Sequence, residues 1–420
     1  MKTKAVRLYG KDDLRLEEYE LPPIKDDEIL AHVISDSICM SSYKATKQGA
    51  EHKRVPNNVH EHPVIIGHEF CGEIVQVGSK WKEKFTPGRK FAIQPAMPIH
   101  GKFNAPGYSY SYCGGDATYV IIPPEVMETD CLLEYNGDAS FYGSLAEPMS
   151  CIIGAFHANY HSRYGSYVHQ MDILQGGRMA ILAGAGPMGL GMIDYAIHRT
   201  IKPSLLVVTD IDEARISRAI RLLPPEEAER NGVRLVYLNA RTLENPEKEL
   251  LAITESKGFD DVFVMAPLKQ VVEQANHILG HDGCLNFFAG PTDPGFSALF
   301  NFYNVHYSST HVVGTSGGNT DDMRESLDLM ARGIINPATM ITHIGGLDAV
   351  AETTKHLPEI PGGKKLIYTN ISLPLIAIAD LTELGKNDPV MAQLAEIVSR
   401  HNGLWNAEAE KFLLTHAKPI

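Results

Sequence analysis

Over about the first 150 residues, short apolar or alternating runs predict half-buried strands. Met1–Tyr9, Val64–Ile66, Gly72–Val77 and Ala117–Ile122 are the clearest, and Pro22-Pro23, Pro63, Pro87-Gly88 and Gly114-Gly115 punctuate them. From Met179 the rhythm changes. Continuous apolar runs at Met179–Ala183, Leu205–Thr209, Val233–Leu238, Val262–Ala266 and Cys284–Ala289 predict fully buried strands. Helical patterns lie between them, at Met188–Ile197, Glu213–Leu223 and Lys269–Leu279. Short apolar strands alternating with helices predict a parallel sheet covered on both faces, from about Met179 to about Gly314. Further on, Asp321–Arg332 is expected as a helix capped by Thr320. Leu347–Lys355 is a second helix, Lys364–Asn370 a strand, and the chain beyond Pro374 a mostly helical tail broken at Asp388-Pro389 and Asn402-Gly403.

The first buried strand of the α/β section runs into Gly184-Ala-Gly186-Pro187-Met188-Gly189, a G-x-G-x-x-G that opens a helix. In that context the motif predicts a dinucleotide site. Gly184 serves a tight turn, Gly186 admits the pyrophosphate to the backbone, and Gly189 lets helix and strand pack closely. The N–H groups of the helix start, with Pro187 and Met188, face the phosphates. The next strand ends in Asp210, whose carboxylate suits a ribose diol and repels a 2′-phosphate. That favours NAD over NADP, although Arg215 nearby keeps NADP open. A carboxylate at that position could instead only cap the following helix.

Candidate metal chemistry lies upstream. Cys39 follows Ile34–Ile38, Gly67-His68-Glu69 follows an apolar strand, and Glu147 stands in Leu145-Ala-Glu-Pro-Met. Thiolate, imidazole and carboxylate together form an established zinc donor set. Spacing alone leaves two readings open, a metal centre and packed core residues.

Bulk properties narrow the class. The chain has 420 residues, enough for two domains, and a formal net charge of −13, which argues against a nucleic-acid binder. No apolar run reaches the roughly 20 residues of a membrane span, and the N-terminus lacks a secretory pattern, so a cytoplasmic protein is expected. Six scattered cysteines without a CxxC pair predict no disulfide framework.

Several segments together resemble the zinc-containing medium-chain dehydrogenase family, in its polyol (sorbitol) dehydrogenase branch. They are Cys39-Met-Ser41, Gly67-His68-Glu69, Gly115-Asp-Ala-Thr-Tyr-Val, Glu147-Pro, the glycine motif, and Val207-Val-Thr-Asp210 with Arg215. The resemblance covers about residues 1–370. It implies an α/β protein with a GroES-like β catalytic domain and a Rossmann doubly wound parallel-sheet domain. The expected divisions are 1–155 catalytic, 156–315 nucleotide-binding, 316–374 a return to the catalytic domain, and 375–420 a helical extension that either simply covers the surface or packs on the body or at a subunit interface. It also implies that Cys39, His68 and Glu69 hold a catalytic zinc, with Glu147 either a fourth ligand or a partner of the zinc-bound water. Ser41 matches the family's proton-relay hydroxyl. Oligomers are usual in the family, so a homo-oligomer is expected.

Three positions depart from the family pattern. Gln94–Gly115 contains only Cys113 where relatives carry four closely spaced cysteines, so no structural zinc is expected. Ser42 replaces an acidic residue, which puts support of the ligand histidine in question. Lys44 replaces a histidine at the end of the relay, where it either ends the relay differently or places a cation near the substrate.

Between Cys39 and His68, the stretch Lys44–Arg54 carries four Lys/Arg against one acid. Such a cluster suits an anionic substrate such as a sugar phosphate, or is a solvated loop. His52-Lys-Arg-Val-Pro, Gln94-Pro-Ala-Met, Asn286–Thr292, Phe300–His306 and Pro361-Gly-Gly-Lys-Lys resemble the bacterial L-sorbose 1-phosphate reductase group, which interconverts L-sorbose 1-phosphate and D-glucitol 6-phosphate. The competing readings are a free-polyol dehydrogenase, a zinc-free reductase of the same superfamily and a non-catalytic nucleotide sensor.

Overall fold

The computed structural model describes residues 1–163 and 165–420, and the chain groups into two compact units. One unit comprises Met1–Pro148, Asn319–Ala331 and Ile341–Ile420, and the other Met149–Gly318 and Arg332–Met340. The division falls within the helix Ala146–Ala158, several residues before the expected boundary at 155/156. Arg332–Met340 groups with the nucleotide-binding unit, contrary to the expected return at 316.

The first unit is built on an eight-stranded sheet. In order it runs Ile376–Ala377, Ile341–Gly346, Lys364–Tyr368, Ile29–Ile38, Phe70–Val77, Lys90–Ile93 and Leu132–Tyr135, with Tyr119–Ile122 also pairing to Ile29–Ile38. Ile29–Ile38 is the hub, because it bonds strands from both ends of the chain: Lys365 pairs with Ile38 and Cys71 with Ser35. A three-stranded sheet (Asp13–Glu20, Lys2–Gly10, Val64–Ile65) leads into the Gly67–Glu69 turn. Alternation in Lys2–Gly10 sends Val6 and Leu8 into a core shared with Ile38, Val64 and Ile66.

The second unit carries a six-stranded parallel sheet. Its order is Arg234–Asn239, Leu205–Asp210, Arg178–Leu182, Phe259–Val264, Leu279–Phe287, His311–Val313. Counted along the chain this is 3-2-1-4-5-6, the doubly wound order, with the switch point beside Arg178–Leu182. Ala180, Val207, Val262 and Leu285 form its core, as their unbroken apolar runs require.

Several local expectations change. Thr320 does not cap its helix: the Asn319 side chain accepts from the backbone N–H of Asp321 and Asp322, and Thr320 begins the helix Thr320–Ala331. Leu347–Lys355 is a 3-10 turn (Leu347–Ala349) that continues as an α-helix (Val350–Lys355). A nine-residue helix, Met40–Gln48, had no strong periodic signal.

The C-terminal segment is not mere surface covering. Trp405 and Leu413 are buried, and so is the Glu410 carboxylate. Glu410 accepts the N–H of Ser140 and Phe141 at the start of the helix Ser140–Ser144 (2.5 and 2.9 Å) and the Tyr368 hydroxyl (2.9 Å). Trp405 Nε1 donates to the same hydroxyl at 2.7 Å. The break at Asp388 is a cap, accepting from Val390 and Met391 N–H. Glu410→Ala, which strands three buried donors, is expected to destabilise the protein by about 2–3 kcal/mol, and Glu410→Gln by less. Urea unfolding of both variants checks this.

Candidate metal centre and nucleotide site

The strand Ile29–Ile38 ends directly before Cys39, which precedes the helix Met40–Gln48 and so puts Ser41 in its first turn. Gly67 has φ +89 and turns the chain so that His68 and Glu69 enter the same unit of structure. One donor atom each from Cys39, His68 and Glu69 lies within 4.8 Å of the others, the only such trio among the described residues. Thiolate, imidazole and carboxylate in this proximity fit a zinc ion. Glu147 stands outside the trio. Burial and then the Glu69 charge push its carboxyl up to about 7, which places it in the field of the same cluster.

Each member is supported. Burial keeps His68 neutral, as a metal-binding imidazole must be. Its Nδ1 lies 3.3 Å from the Ser42 hydroxyl, so Ser42 supplies the histidine partner that its replacement of an acid had put in question. Its Nε2 lies 3.3 Å from the Tyr108 hydroxyl. Ser41 Oγ is 3.6 Å from Cys39 Sγ, and its side chain also hydrogen-bonds Tyr108. Lys44, farther along the same helix, contributes its charge at His52, whose ring stacks on Tyr108 at 5.6 Å. A histidine therefore does stand beside the Tyr108 ring, but it comes from position 52.

The sequence did not point to Lys364. Its ammonium donates to both Glu69 oxygens (2.5 and 2.6 Å), and the Ser37 hydroxyl donates to Glu69 Oε2. Burial alone would lower the lysine pKa, but Glu69, Cys39 and Glu147 raise it above its ordinary value. Pro361-Gly-Gly-Lys-Lys contained this residue without a role for it. The neighbouring Lys365 turns the other way and donates to the carbonyls of Ile360, Pro361 and Gly363.

Beneath the metal cluster, Asp36 Oδ1 accepts the Glu69 N–H at 3.0 Å. A side chain at Gly67 would meet one carboxyl oxygen each of Asp36 and Asp116 at 2.8 Å, so the glycine makes room for this pair. Burial and the neighbouring carboxylates push Asp36 well above the usual aspartate range, and burial pushes Asp116 up to about 8. Two adjacent buried carboxyl groups hold at least one proton between them. Asp116 stands in the Gly115-Asp-Ala-Thr-Tyr-Val segment, but nothing local pairs it with Asp36.

Cys113 lies in an apolar core with Phe70 and Ile65, and burial pushes its thiol far up. It behaves as packing.

In the second unit, Gly186 caps the helix Pro187–His198, Pro187 occupies its first turn, and Met188 follows. A side chain at Gly189 would strike the Gly184 carbonyl, so the close strand–helix approach needs a glycine there. Space around Gly186 is open, leaving its backbone accessible. The turn itself differs from expectation. Left-handed backbone occurs at Ala183 (φ +56), and Gly184 is required because a Cβ would meet Ile181 Cγ2 at 2.5 Å. Asp210 does not merely cap. Asp212 caps the helix Glu213–Leu222, accepting from Ala214 and Arg215 N–H. Asp210 Oδ2 accepts Ala185 N–H (3.0 Å), and Oδ1 accepts those of Ile211 and Asp212. A carboxylate has about four acceptor positions, so these three bonds fix Asp210 and leave acceptor capacity. Arg215 is exposed, with Nε 3.7 Å from Asp212.

Two measurements follow. Ser42→Ala is expected to weaken zinc binding about tenfold in a chelator competition. The aspartate pair binds protons in the folded state between the ordinary aspartate range and about 8, so it contributes stability that declines as pH rises through that window. Asp116→Asn should flatten the decline, seen as a smaller fall in Tm between pH 5 and pH 9.

Comparison with known proteins agrees with this geometry. Residues 25–129 match the alcohol dehydrogenase GroES-like domain, and residues 187–332 match the zinc-binding dehydrogenase domain. The chain is 52% identical to L-sorbose 1-phosphate reductase of Klebsiella pneumoniae over 418 residues, covering 100% of this chain and 98% of that one. It is also 52% identical to mannitol-1-phosphate 5-dehydrogenase of Aliivibrio fischeri over 412 residues, covering 98% and 97%. Among solved structures, 2R,3R-butanediol dehydrogenase of Bacillus subtilis superposes with a TM-score of 0.70 at 21% identity, over 88% of this chain and 100% of that one. No helix among the described residues is long and apolar enough to cross a membrane. The GroES-like and parallel-sheet architecture, the Cys39–His68–Glu69 donor set and full-length similarity place the chain in the zinc-binding alcohol and polyol dehydrogenase family.

Proposed function

We propose that this enzyme transfers a hydride between NAD(H) and the secondary alcohol or ketone of a polyol phosphate, with L-sorbose 1-phosphate and D-glucitol 6-phosphate as its pair. The observation that carries the reading is the convergence of Cys39, His68 and Glu69 donor atoms within 4.8 Å, with Ser41 beside Cys39. Its substrate side draws on the names of the two 52% identical relatives.

Cys39, His68 and Glu69 would hold one catalytic zinc, and Glu147 would act at its remaining position. When bound, zinc supplies Lewis acidity at the substrate oxygen and the nicotinamide carries the hydride. The chain's own groups do the rest. Ser41 takes the proton from the substrate hydroxyl during oxidation and returns it during reduction, with Tyr108 hydrogen-bonded behind it. Lys44 is the outlet cation of that relay. Lys364 pairs with the Glu69 carboxylate and compensates its burial. Gly184, Gly186, Gly189 and the first-turn N–H groups of Pro187–His198, from Met188 on, bind the pyrophosphate. Asp210 keeps acceptor capacity for a ribose hydroxyl and repels a 2′-phosphate, which favours NAD over NADP, and exposed Arg215 borders the same end. No structural zinc is proposed, because Cys113 is the one cysteine in Gln94–Gly115, and its packing in the core supports that reading. A homo-oligomer is the proposed assembly, and exposed Leu299, Phe302, Tyr303 and Tyr307 supply apolar surface for it.

Initial rates test the reading. The wild type should oxidise D-glucitol 6-phosphate with a kcat/KM well above that for D-glucitol, and should prefer NAD. Chelation should abolish turnover and zinc should restore it. Ser41→Ala should lower kcat by about 10²- to 10⁴-fold. Equal kcat/KM for ester and free polyol would favour the free-polyol reading, and chelator-insensitive turnover would remove the metal from the mechanism.

A further inference from the structure

The cationic stretch Lys44–Arg54 divides in the structure. Lys47 pairs with Asp12 at 2.8 Å and is spent on the surface. Lys53 and Arg54 differ: among the described residues no carboxylate lies within ion-pair distance of either, in a chain of net charge −13. Their loop is pinned. The Ser109 hydroxyl donates to the Arg54 carbonyl at 2.6 Å, and the Arg54 N–H donates to His52 Nδ1 at 3.3 Å.

Tyr108 joins this loop to the metal cluster. Its side chain is fully buried, with the hydroxyl at His68 Nε2 and Ser41. The His52 ring stacks nearly parallel to it, and the Arg54 guanidinium sits 5.2 Å from its ring centre. Lys53 Nζ lies 5.6 Å from the ring centre of Phe103, which is itself exposed. One aromatic ring therefore separates the metal-ligating end from an unneutralised guanidinium. Burial, then Arg54, Lys53 and Lys44, lower the His52 pKa to about 4. Three cations thus converge on an imidazole that stays neutral and can donate or accept a hydrogen bond.

We propose that Arg54, with Lys53 and His52, forms the subsite for the phosphomonoester of the substrate, and that the Tyr108 ring sets its separation from the reacting carbon. A guanidinium held against an aromatic face keeps its planar fork oriented for two phosphate oxygens, and less freedom is lost on binding. An ammonium beside it adds charge with looser geometry. The neutral imidazole accommodates either protonation state of the ester. This assignment rests on the polyol-phosphate reading and specifies which residues produce that selectivity.

The test is a specificity ratio, kcat/KM for D-glucitol 6-phosphate divided by that for D-glucitol, with NAD, in the zinc-loaded full-length enzyme. Arg54→Ala and Arg54→Gln should lower the ratio about 10- to 100-fold, chiefly through the KM of the ester, and Arg54→Lys should recover part of it. Lys53→Ala should lower it less. Inorganic phosphate should compete with the ester in the wild type, and its inhibition constant should rise in Arg54→Gln. Zinc content and Tm identify a variant that has merely lost its fold, and the wild-type competition by inorganic phosphate tests the subsite without any variant. A wild type that prefers the ester while every Arg54 and Lys53 variant keeps the ratio would overturn the subsite alone. A wild type that prefers free D-glucitol would overturn the polyol-phosphate reading beneath it. Equal loss on both substrates with zinc intact would make Arg54 structural and also overturn the proposal.

Discussion

Glu69 is a carboxylate with 1% of its side chain exposed, paired with the Lys364 ammonium, and much of its unit is arranged around that ion pair. A buried ion is expensive unless it is both paired and hydrogen-bonded. Lys364 supplies the pair from a strand 295 residues away, the Ser37 hydroxyl adds a donor, and Asp36 holds the residue's own N–H. Lys364 can reach because Lys364–Tyr368 pairs antiparallel to Ile29–Ile38, whose end leads into Cys39. The returning C-terminal chain is thus part of the candidate metal centre. Removing it would leave a buried negative charge without its counterion.

The same economy of buried charge recurs around the unit. Asp36 and Asp116 are tolerated because they can share a proton, and Gly67 leaves the room for them. Glu410 is tolerated because two backbone N–H groups and the Tyr368 hydroxyl meet it. Tyr368 belongs to the strand that carries Lys364, so the C-terminal helix Ala407–His416 and the metal centre are braced through one strand. On the cationic loop the logic reverses. Lys53 and Arg54 lack a carboxylate partner within the described chain, and charges left in that state beside a reactive cluster are where a ligand's charge is expected to go.

In the nucleotide-binding unit the controlling constraint is steric. At Gly189 the helix comes too close to the Gly184 carbonyl for a Cβ, and at Gly184 a Cβ would meet Ile181 of the preceding strand. The left-handed residue required by the turn is Ala183, displaced by one from the motif's first glycine. The motif therefore predicts a close approach well and the backbone angle poorly.

Local patterns alone determined the parallel sheet and the glycine-rich turn and marked Cys39, His68, Glu69 and Glu147 as candidate donors; the joining of the first three into one zinc set came from the family resemblance, and the 3-2-1-4-5-6 order from the structure. Apolar runs report burial on both faces, and a glycine motif reports close contact, because both arise from neighbours in sequence. The helix cap at Asn319 and the division within Ala146–Ala158 were misjudged by a few residues, as element ends are set by single hydrogen bonds. Only the tertiary structure decided that Lys364 neutralises Glu69, that Tyr108 stands between His68 and Arg54, that Ser42 supports His68 and that Glu410 fastens the C-terminal segment. Those residues have no periodicity and no spacing rule. Their roles come from the need to compensate buried charges and donors, and the partners that satisfy it are brought together only when strands from opposite ends of the chain pair.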